Sequence, residues 1–251
     1  MNDAGWLHDR PIAHRGRYDE SAGVPENSLA AFRAAVELGT PFEFDVQLTA
    51  DGVAVVAHDA NLRRVTGEDV LVAESTHARI RRLRTGCGGE PVPTLDDVLE
   101  VAGGQVPVLV DVRRWGGHGG TDLERVVAAS LRGYRGAVAL QSFDPRAVLR
   151  LRRLTADHPV GQASGSLPSA APPLRWIGRS MVSNVLTRPD FVSYELAALP
   201  CWFADRWRTR TRPLIAFTAH SRAEAGRALQ VADNYFYAGF TPDEHREEQR
   251  P

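Results

Sequence analysis

The 251-residue sequence predicts an α/β fold and, within that class, a closed parallel (β/α)8 TIM barrel. Three observations carry this. Short apolar runs alternate with amphipathic segments along the whole chain. The alternation yields about eight strand–helix units in a length near the roughly 250 residues of one such barrel. Side chains able to do chemistry recur where the apolar runs end, which is where barrel active sites form. A doubly wound open sheet is the competing architecture.

The elements follow in order. The run 11–13 ends in His14-Arg15-Gly16. A helix is expected over 28–38, where Leu29, Phe32 and Val36 recur at helical spacing, Asn27 or Ser28 offers an N-cap and Gly39 a stop. The run 42–48 carries Glu43 and Asp45 two residues apart, so both project from one strand face while Phe42, Phe44 and Val46 pack the other way. The run 53–57 delivers His58-Asp59. Residues 59–93 read as a loop insertion before a helix at 95–101. The run 106–112 ends in Asp111-Val112-Arg113, again an i, i+2 pair. The Gly-rich stretch at Gly116–Gly120 lacks the lysine and spacing of a phosphate-cradling loop and reads as a loop over the barrel mouth. Helices at 122–131, 145–154 and 222–231 alternate with runs at 137–141, 160–163, 191–194, 214–217 and 234–237. Nine runs thus compete for eight barrel strands, in a single domain spanning 1–251.

Composition excludes several classes. With 43% hydrophobic and 24% charged residues, the chain has the makeup of an ordinary globular protein. Net charge is -1, which gives no global bias toward nucleic acid or anionic membrane. No apolar run approaches the roughly 18 residues of a spanning helix. The polar start MNDAGWLHDR lacks the apolar core of a secretory signal. Two cysteines, Cys87 and Cys201, are too few for a disulfide framework. Together these point to a cytoplasmic protein with free thiols. All 30 basic residues are arginine.

Side-by-side carboxylates in an apolar setting repel each other and lose hydration, so Glu43 and Asp45 call for a compensating partner. With Asp111, they form a set of oxygen ligands suited to one hard divalent cation, Ca or Mg. His14 and His58 stand on separate run ends that can face each other across it. One imidazole can take a proton while the other gives one. Arg15 and Arg113 carry the planar fork that suits phosphate oxygens. That combination fits displacement at phosphorus in a small-molecule phosphodiester.

The strings HRG (His14–Gly16), PENS (Pro25–Ser28), EFDVQLTADGVAVVAHD (Glu43–Asp59) and RRVTG (Arg63–Gly67) resemble the glycerophosphodiester phosphodiesterase family. PTLDDVL (Pro93–Leu99), SFDP (Ser142–Pro145), FTAHSRAEAGRAL (Phe217–Leu229) and ADNYFYAGFTP (Ala232–Pro242) extend the likeness over nearly the whole chain. The resemblance implies a barrel that hydrolyses glycerophosphodiesters to glycerol 3-phosphate and an alcohol. It implies His14 and His58 as the acid–base pair; of the two, His14 is expected to be the base and His58 the acid. It implies Glu43, Asp45 and Asp111 as ligands of one divalent ion; the expected substrate contacts are Arg15 and Arg113, from their charge and planar fork, and Phe217, from its place at a strand end. The chain departs from the family at Asp111-Val112-Arg113, where Glu-x-Lys is usual; sphingomyelinase D-like enzymes have Asp at the similar position. It also has Phe217 where Trp is frequent, and ADNYFYAGF in place of the DGIITD form. Two alternatives stand beside this reading: a lysophospholipase D or sphingomyelinase D-like lipid phosphodiesterase, and a non-catalytic barrel that binds phosphorylated ligands.

Blander roles are weighed beside these. Glu43 and Asp45 alone read as a solvated strand face; Asp111 and the two histidines change that. Asn27 is either a cap or a site residue, Glu26 a partner for Arg15, and Asp59 a support for the cluster or a turn residue. Gln141 and Ser142 read first as barrel filling. The cluster Cys201-Trp202-Phe203 with Trp207 is either a core patch or an apolar rim, and Arg206, Arg208, Arg210 and Arg212 read first as solvated, with an anionic substrate or a membrane surface as the alternative.

Overall fold

The computed structural model describes residues 4–86, 89–115, 122–166 and 172–242. Its strands are β1 (Ile12–Ala13), β2 (Phe42–Leu48), β3 (Ala54–Val56), β4 (Arg84–Thr85), β5 (Glu90–Pro91), β6 (Val108–Val112), β7 (Val138–Ser142), β8 (Val160–Ser164), β9 (Val192–Glu195), β10 (Leu214–Ala219) and β11 (Asn234–Tyr237). Eight of them run parallel in the order β1-β2-β6-β7-β8-β9-β10-β11, and the β11–β1 pairing closes the cylinder. This is the expected (β/α)8 barrel.

One of the nine expected strands, the run 53–57, accounts for the surplus. β3 pairs antiparallel with β2 (Val46 opposite Val56) and stands outside the cylinder. His58 therefore does not sit at the end of a barrel strand. A hairpin carries it back over the mouth, where the Ala57 N–H donates to the Asp45 carbonyl at 3.0 Å. The segment 59–93 is also more than a loop. Its described part holds short helices Arg63–Thr66 and His77–Ile80 and the β4–β5 hairpin. These close over a core of their own with Val55, Leu62, Val70, Val72, Ile80 and Val92.

Strand alternation builds two apolar layers. Phe42, Phe44, Val46, Val108, Val110, Val138 and Leu140 face outward against the helices. Phe32 of helix Leu29–Glu37 stacks on Phe42 at 4.9 Å and meets Phe44 edge-on. Inside the cylinder, Ile12, Leu109, Ala139, Phe191, Ile215 and Phe236 form a floor that Trp6 and Leu7 plug from below. Gly161 belongs to this floor because the Phe191 ring fills its side-chain space; a Cβ there would lie 2.3 Å from a ring carbon. Helices Pro172–Ser180, Asn184–Thr187 and Trp202–Trp207 escape the sequence reading. The first opens on two prolines, and the other two are too short to show a period. No described helix is long and apolar enough to cross a membrane.

Candidate active site

The sequence of β2 aims Glu43, Asp45 and Gln47 away from the outer phenylalanines and into the barrel. Parallel register sets Asp45 opposite Asp111, and Asp111 opposite Gln141, one layer above the apolar floor. All three acids are buried, and ligand oxygens from Glu43, Asp45 and Asp111 lie within 4.8 Å of one another.

His14-Arg15-Gly16 turns at the end of β1 with left-handed backbone at Arg15 (φ 59°) and Gly16 (φ 80°). Gly16 needs its missing side chain as well, since a Cβ would lie 2.9 Å from both Ala31 and Phe32. The turn points the Arg15 N–H at Glu43 Oε2 (3.0 Å) and leaves His14 Nε2 3.9 Å from the same oxygen. Ser28 caps the following helix by accepting from the Ala31 N–H. That frees Asn27, in left-handed conformation at φ 54°, to donate to Asp45 Oδ2 at 2.9 Å. The capping question is thereby settled between the two residues.

Of the remaining predicted residues, Arg113 and Arg15 reach the acids directly, while His58 and Phe217 contact the groups around them. Arg113 Nε donates to Asp45 Oδ1 at 2.7 Å, and Arg113 Nη2 lies 3.4 Å from Asp111 Oδ2. Arg15 Nη1 donates to both oxygens of Glu26, and its Nε lies 3.5 Å from Asp45 Oδ2. His58 Nδ1 is 2.7 Å from Asp59 Oδ1. Asp59 and Glu26 are joined by Arg64, which donates to each at 2.6 Å. Phe217 is half-buried and meets Phe143 and Phe236 edge-on, while the Arg113 guanidinium lies over the Phe143 ring at 5.3 Å. The stretch Gly116–Gly120 lies outside the described residues.

Three participants carry little sequence signal. Trp115 donates from its indole to the His58 carbonyl at 3.0 Å and presents its ring edge-to-face to the imidazole. Gln141 donates to Asp111 Oδ2 and is itself oriented by the Ser193 hydroxyl. Arg64 ties two acids that are 33 residues apart in the chain. The RRVTG string is the one hint for Arg64, and its place at the end of the run 137–141 is the one hint for Gln141.

The electrostatics separate the three acids. Burial alone would raise Asp45, but Arg113 and Arg15 outweigh it and hold that carboxyl well below its ordinary range. Burial pushes Asp111 up to about 6; Arg113 opposes and Asp45 adds to the rise. Burial, then the neighboring Asp45 and Asp111, push Glu43 well above an ordinary glutamate. Asp111 Oδ1 is buried with no hydrogen-bond partner. Two reluctant anions, one fixed anion and an orphaned carboxylate oxygen are the donor set that a hard divalent cation satisfies. Burial and then Arg15 lower His14 well below an ordinary imidazole, and burial lowers His58 despite the opposing pull of Asp45. The two rings are near enough that a proton on His58 disfavors one on His14.

The model for the glycerophosphoryl diester phosphodiesterase family matches residues 14–199. The chain belongs to this family. A glycerophosphodiester phosphodiesterase of Caldanaerobacter subterraneus is 33% identical over 160 residues, covering 60% of this chain and 64% of that protein. One from Bacillus subtilis is 28% identical over 174 residues, covering 60% and 58%. The chain thus spans somewhat under two thirds of each relative. By structure, a phosphodiesterase of Oleispira antarctica in complex with sn-glycerol-3-phosphate superposes with a TM-score of 0.78 at 23% identity. It covers 93% of this chain and 94% of that one, a likeness of fold. The family match begins at His14 and takes in every predicted site residue except Phe217.

Proposed function

We propose that this protein hydrolyzes glycerophosphodiesters to glycerol 3-phosphate and an alcohol, using one divalent ion held by Glu43, Asp45 and Asp111. The observation that carries the reading is the buried carboxylate triad flanked by two imidazoles, with an unpartnered oxygen on Asp111. The ion, Ca or Mg, would supply Lewis-acid charge to the phosphate oxygens. Arg113 and Arg15 add fixed positive charge beside the same place and cannot lose it.

The two histidines divide the proton work. Burial keeps His14 neutral near pH 7, so its ring can take the proton of the attacking hydroxyl. His58 has a carboxylate at its Nδ1, which holds the tautomer and steadies the imidazolium, so its Nε2 can deliver a proton to the leaving alkoxide. Overall the attacking oxygen bonds to phosphorus as the P–O bond to the alcohol breaks; the proton lost by the nucleophile goes to His14, and the proton gained by the leaving alkoxide comes from His58, which enters the step as the imidazolium. The nucleophile is water or a neighboring substrate hydroxyl; a cyclic phosphate among the products distinguishes the second. Phe143, Phe217 and Trp115 offer apolar walls for the substrate's organic part.

The test is a panel of glycerophosphodiesters, lysophospholipids and sphingomyelin assayed with Ca, Mg and chelator. Turnover of glycerophosphodiesters with either metal and none with chelator is expected. His14→Ala and His58→Ala should each cost about a hundred- to ten-thousandfold in kcat with the fold intact. Normal rates in both variants overturn the mechanism. Preference for lysolipid or sphingomyelin favors the lipid phosphodiesterase reading, and absence of any turnover favors a phosphate-binding barrel.

A further inference from the structure

One flank of the barrel differs in kind from the rest. Residues 145–212 contain eleven arginines against four acidic residues, a net +7 in a chain whose total is -1, so the remainder carries -8. The same stretch holds six of the ten exposed large hydrophobic residues identified among the described residues: Leu154, Trp176, Val182, Val185, Leu186 and Trp202. Leu186 is 75% exposed, Trp202 67% and Trp176 62%. Opposite in character, helix Leu95–Ala102 bears three acids and no arginine.

These features gather on two packed helix pairs along one side of the barrel. Helix Pro145–Leu154 packs against Asn184–Thr187, and Pro172–Ser180 packs against Trp202–Trp207. They follow β7, β8 and β9, three adjacent staves of the barrel. In such a barrel each helix starts at the mouth, so Trp202, the first residue of its helix, lies toward the rim. Arg206 sets its guanidinium over the Trp202 ring at 5.7 Å, and Arg179, Arg188 and Arg210 are exposed nearby in the chain.

We infer that this flank docks the protein on anionic phospholipid bilayers. Exposed tryptophans and branched aliphatics beside arginines are the composition of an interfacial membrane surface. The apolar rings enter the acyl boundary while the guanidinium groups stay among phosphate headgroups. Nucleic acid would use the arginines but leave Val185, Leu186 and Leu154 without a role. The inference concerns a surface apart from the catalytic center and is read by binding, so its failure is distinct from failure of the proposed hydrolysis.

The test is sedimentation of the full chain with vesicles of phosphatidylcholine alone or mixed with phosphatidylglycerol. Binding to the mixed vesicles, little to the neutral ones, and release near 1 M salt, where the screening length is about 3 Å, are expected. Trp176→Ala with Trp202→Ala should weaken partition by at least roughly tenfold. Arg206→Gln with Arg210→Gln should weaken it roughly fivefold per residue and erase the lipid preference. Bromine-labeled acyl chains should quench the fluorescence of the parent protein more than that of the tryptophan double variant. Near-ultraviolet dichroism and turnover of a soluble diester show that the variants remain folded. Absence of vesicle binding, equal binding to both compositions, or binding of RNA in place of vesicles overturns the inference. So does a dimer in analytical ultracentrifugation that the tryptophan double variant dissolves, which assigns the face to a second copy.

Discussion

Replacing Asp111 by Asn separates the carboxylate triad as a cation site from the triad as a structural feature. In the metal-free protein, Asp111 is raised from 3.8 to about 6, chiefly by burial. Each tenfold in proton affinity is about 1.4 kcal/mol, so keeping this side chain ionized costs the empty site on the order of 3 kcal/mol. A folded-state value above the unfolded one means that the contribution to stability is fully present below about 3.8. It is then lost as pH rises through about 6. Asp111→Asn removes that loss while keeping an acceptor for Gln141, at the expense of the Arg113 attraction. In chelator at pH 7.5 the variant should therefore melt higher than the parent, by up to roughly 5–10 °C for a chain of this size. At pH 4 the two should nearly coincide. With saturating Ca or Mg the order should reverse, because the ion binds the parent's three carboxylates more tightly and stabilizes it by mass action. Differential scanning calorimetry at both pH values, with chelator and with metal, reads all of this. A variant no more stable than the parent in chelator at pH 7.5, or a parent indifferent to both metals, refutes the reasoning.

Two further predictions concern supports of the site. Arg64→Gln unties Asp59 from Glu26, so His58 loses its fixed orientation; kcat should fall roughly tenfold or more with KM little changed, and an unaltered kcat counts against the network. Gly161→Ala drives a methyl into the Phe191 ring in the barrel floor and should cost about 1–3 kcal/mol or more, seen as a melting temperature several degrees lower; an unchanged melting temperature means that the ring has room to move.

What could be read from the sequence depended on the range over which each signal acts. The alternation in Phe42–Leu48 settles which side chains enter the barrel, because the period of a strand is local. The His14-Arg15-Gly16 turn is equally local, and its glycine is required by both backbone angle and the packing of Ala31 and Phe32. The strand at 53–57 lies outside the cylinder for a reason its sequence does not show. An apolar run of that length does not reveal whether its partner is parallel or antiparallel. Gln141, 30 residues from Asp111, becomes a site residue through strand register, which no single-chain pattern encodes. Asn27 was ambiguous because Asn both caps helices and tolerates left-handed backbone; Ser28 taking the cap decided between the roles. Trp115 sits beyond the end of its strand, where periodicity has ended.

The charges of the assembled site add a constraint that no individual residue supplies. Glu26, Glu43, Asp45, Asp59 and Asp111 are linked through Arg15, Arg64 and Arg113 by direct ion pairs and hydrogen bonds. Five carboxylates against three guanidinium groups leave two negative charges in excess before either histidine is counted. The excess has an address. Asp45 receives Arg113, Arg15 and Asn27, whereas Glu43 receives one backbone N–H and Asp111 a long amide contact and the far end of Arg113. Glu43 and Asp111 are the two whose proton affinity is raised, so in the metal-free protein two protons can occupy the positions where charge is lacking. A single divalent cation removes the same deficit without protons. Arginine at position 113 keeps this balance fixed, because unlike a buried lysine it cannot neutralize itself by giving up a proton. It is equally unable to act as an acid, and for the proposed hydrolysis that task falls to an imidazole, for which His58 with Asp59 at its Nδ1 is the candidate.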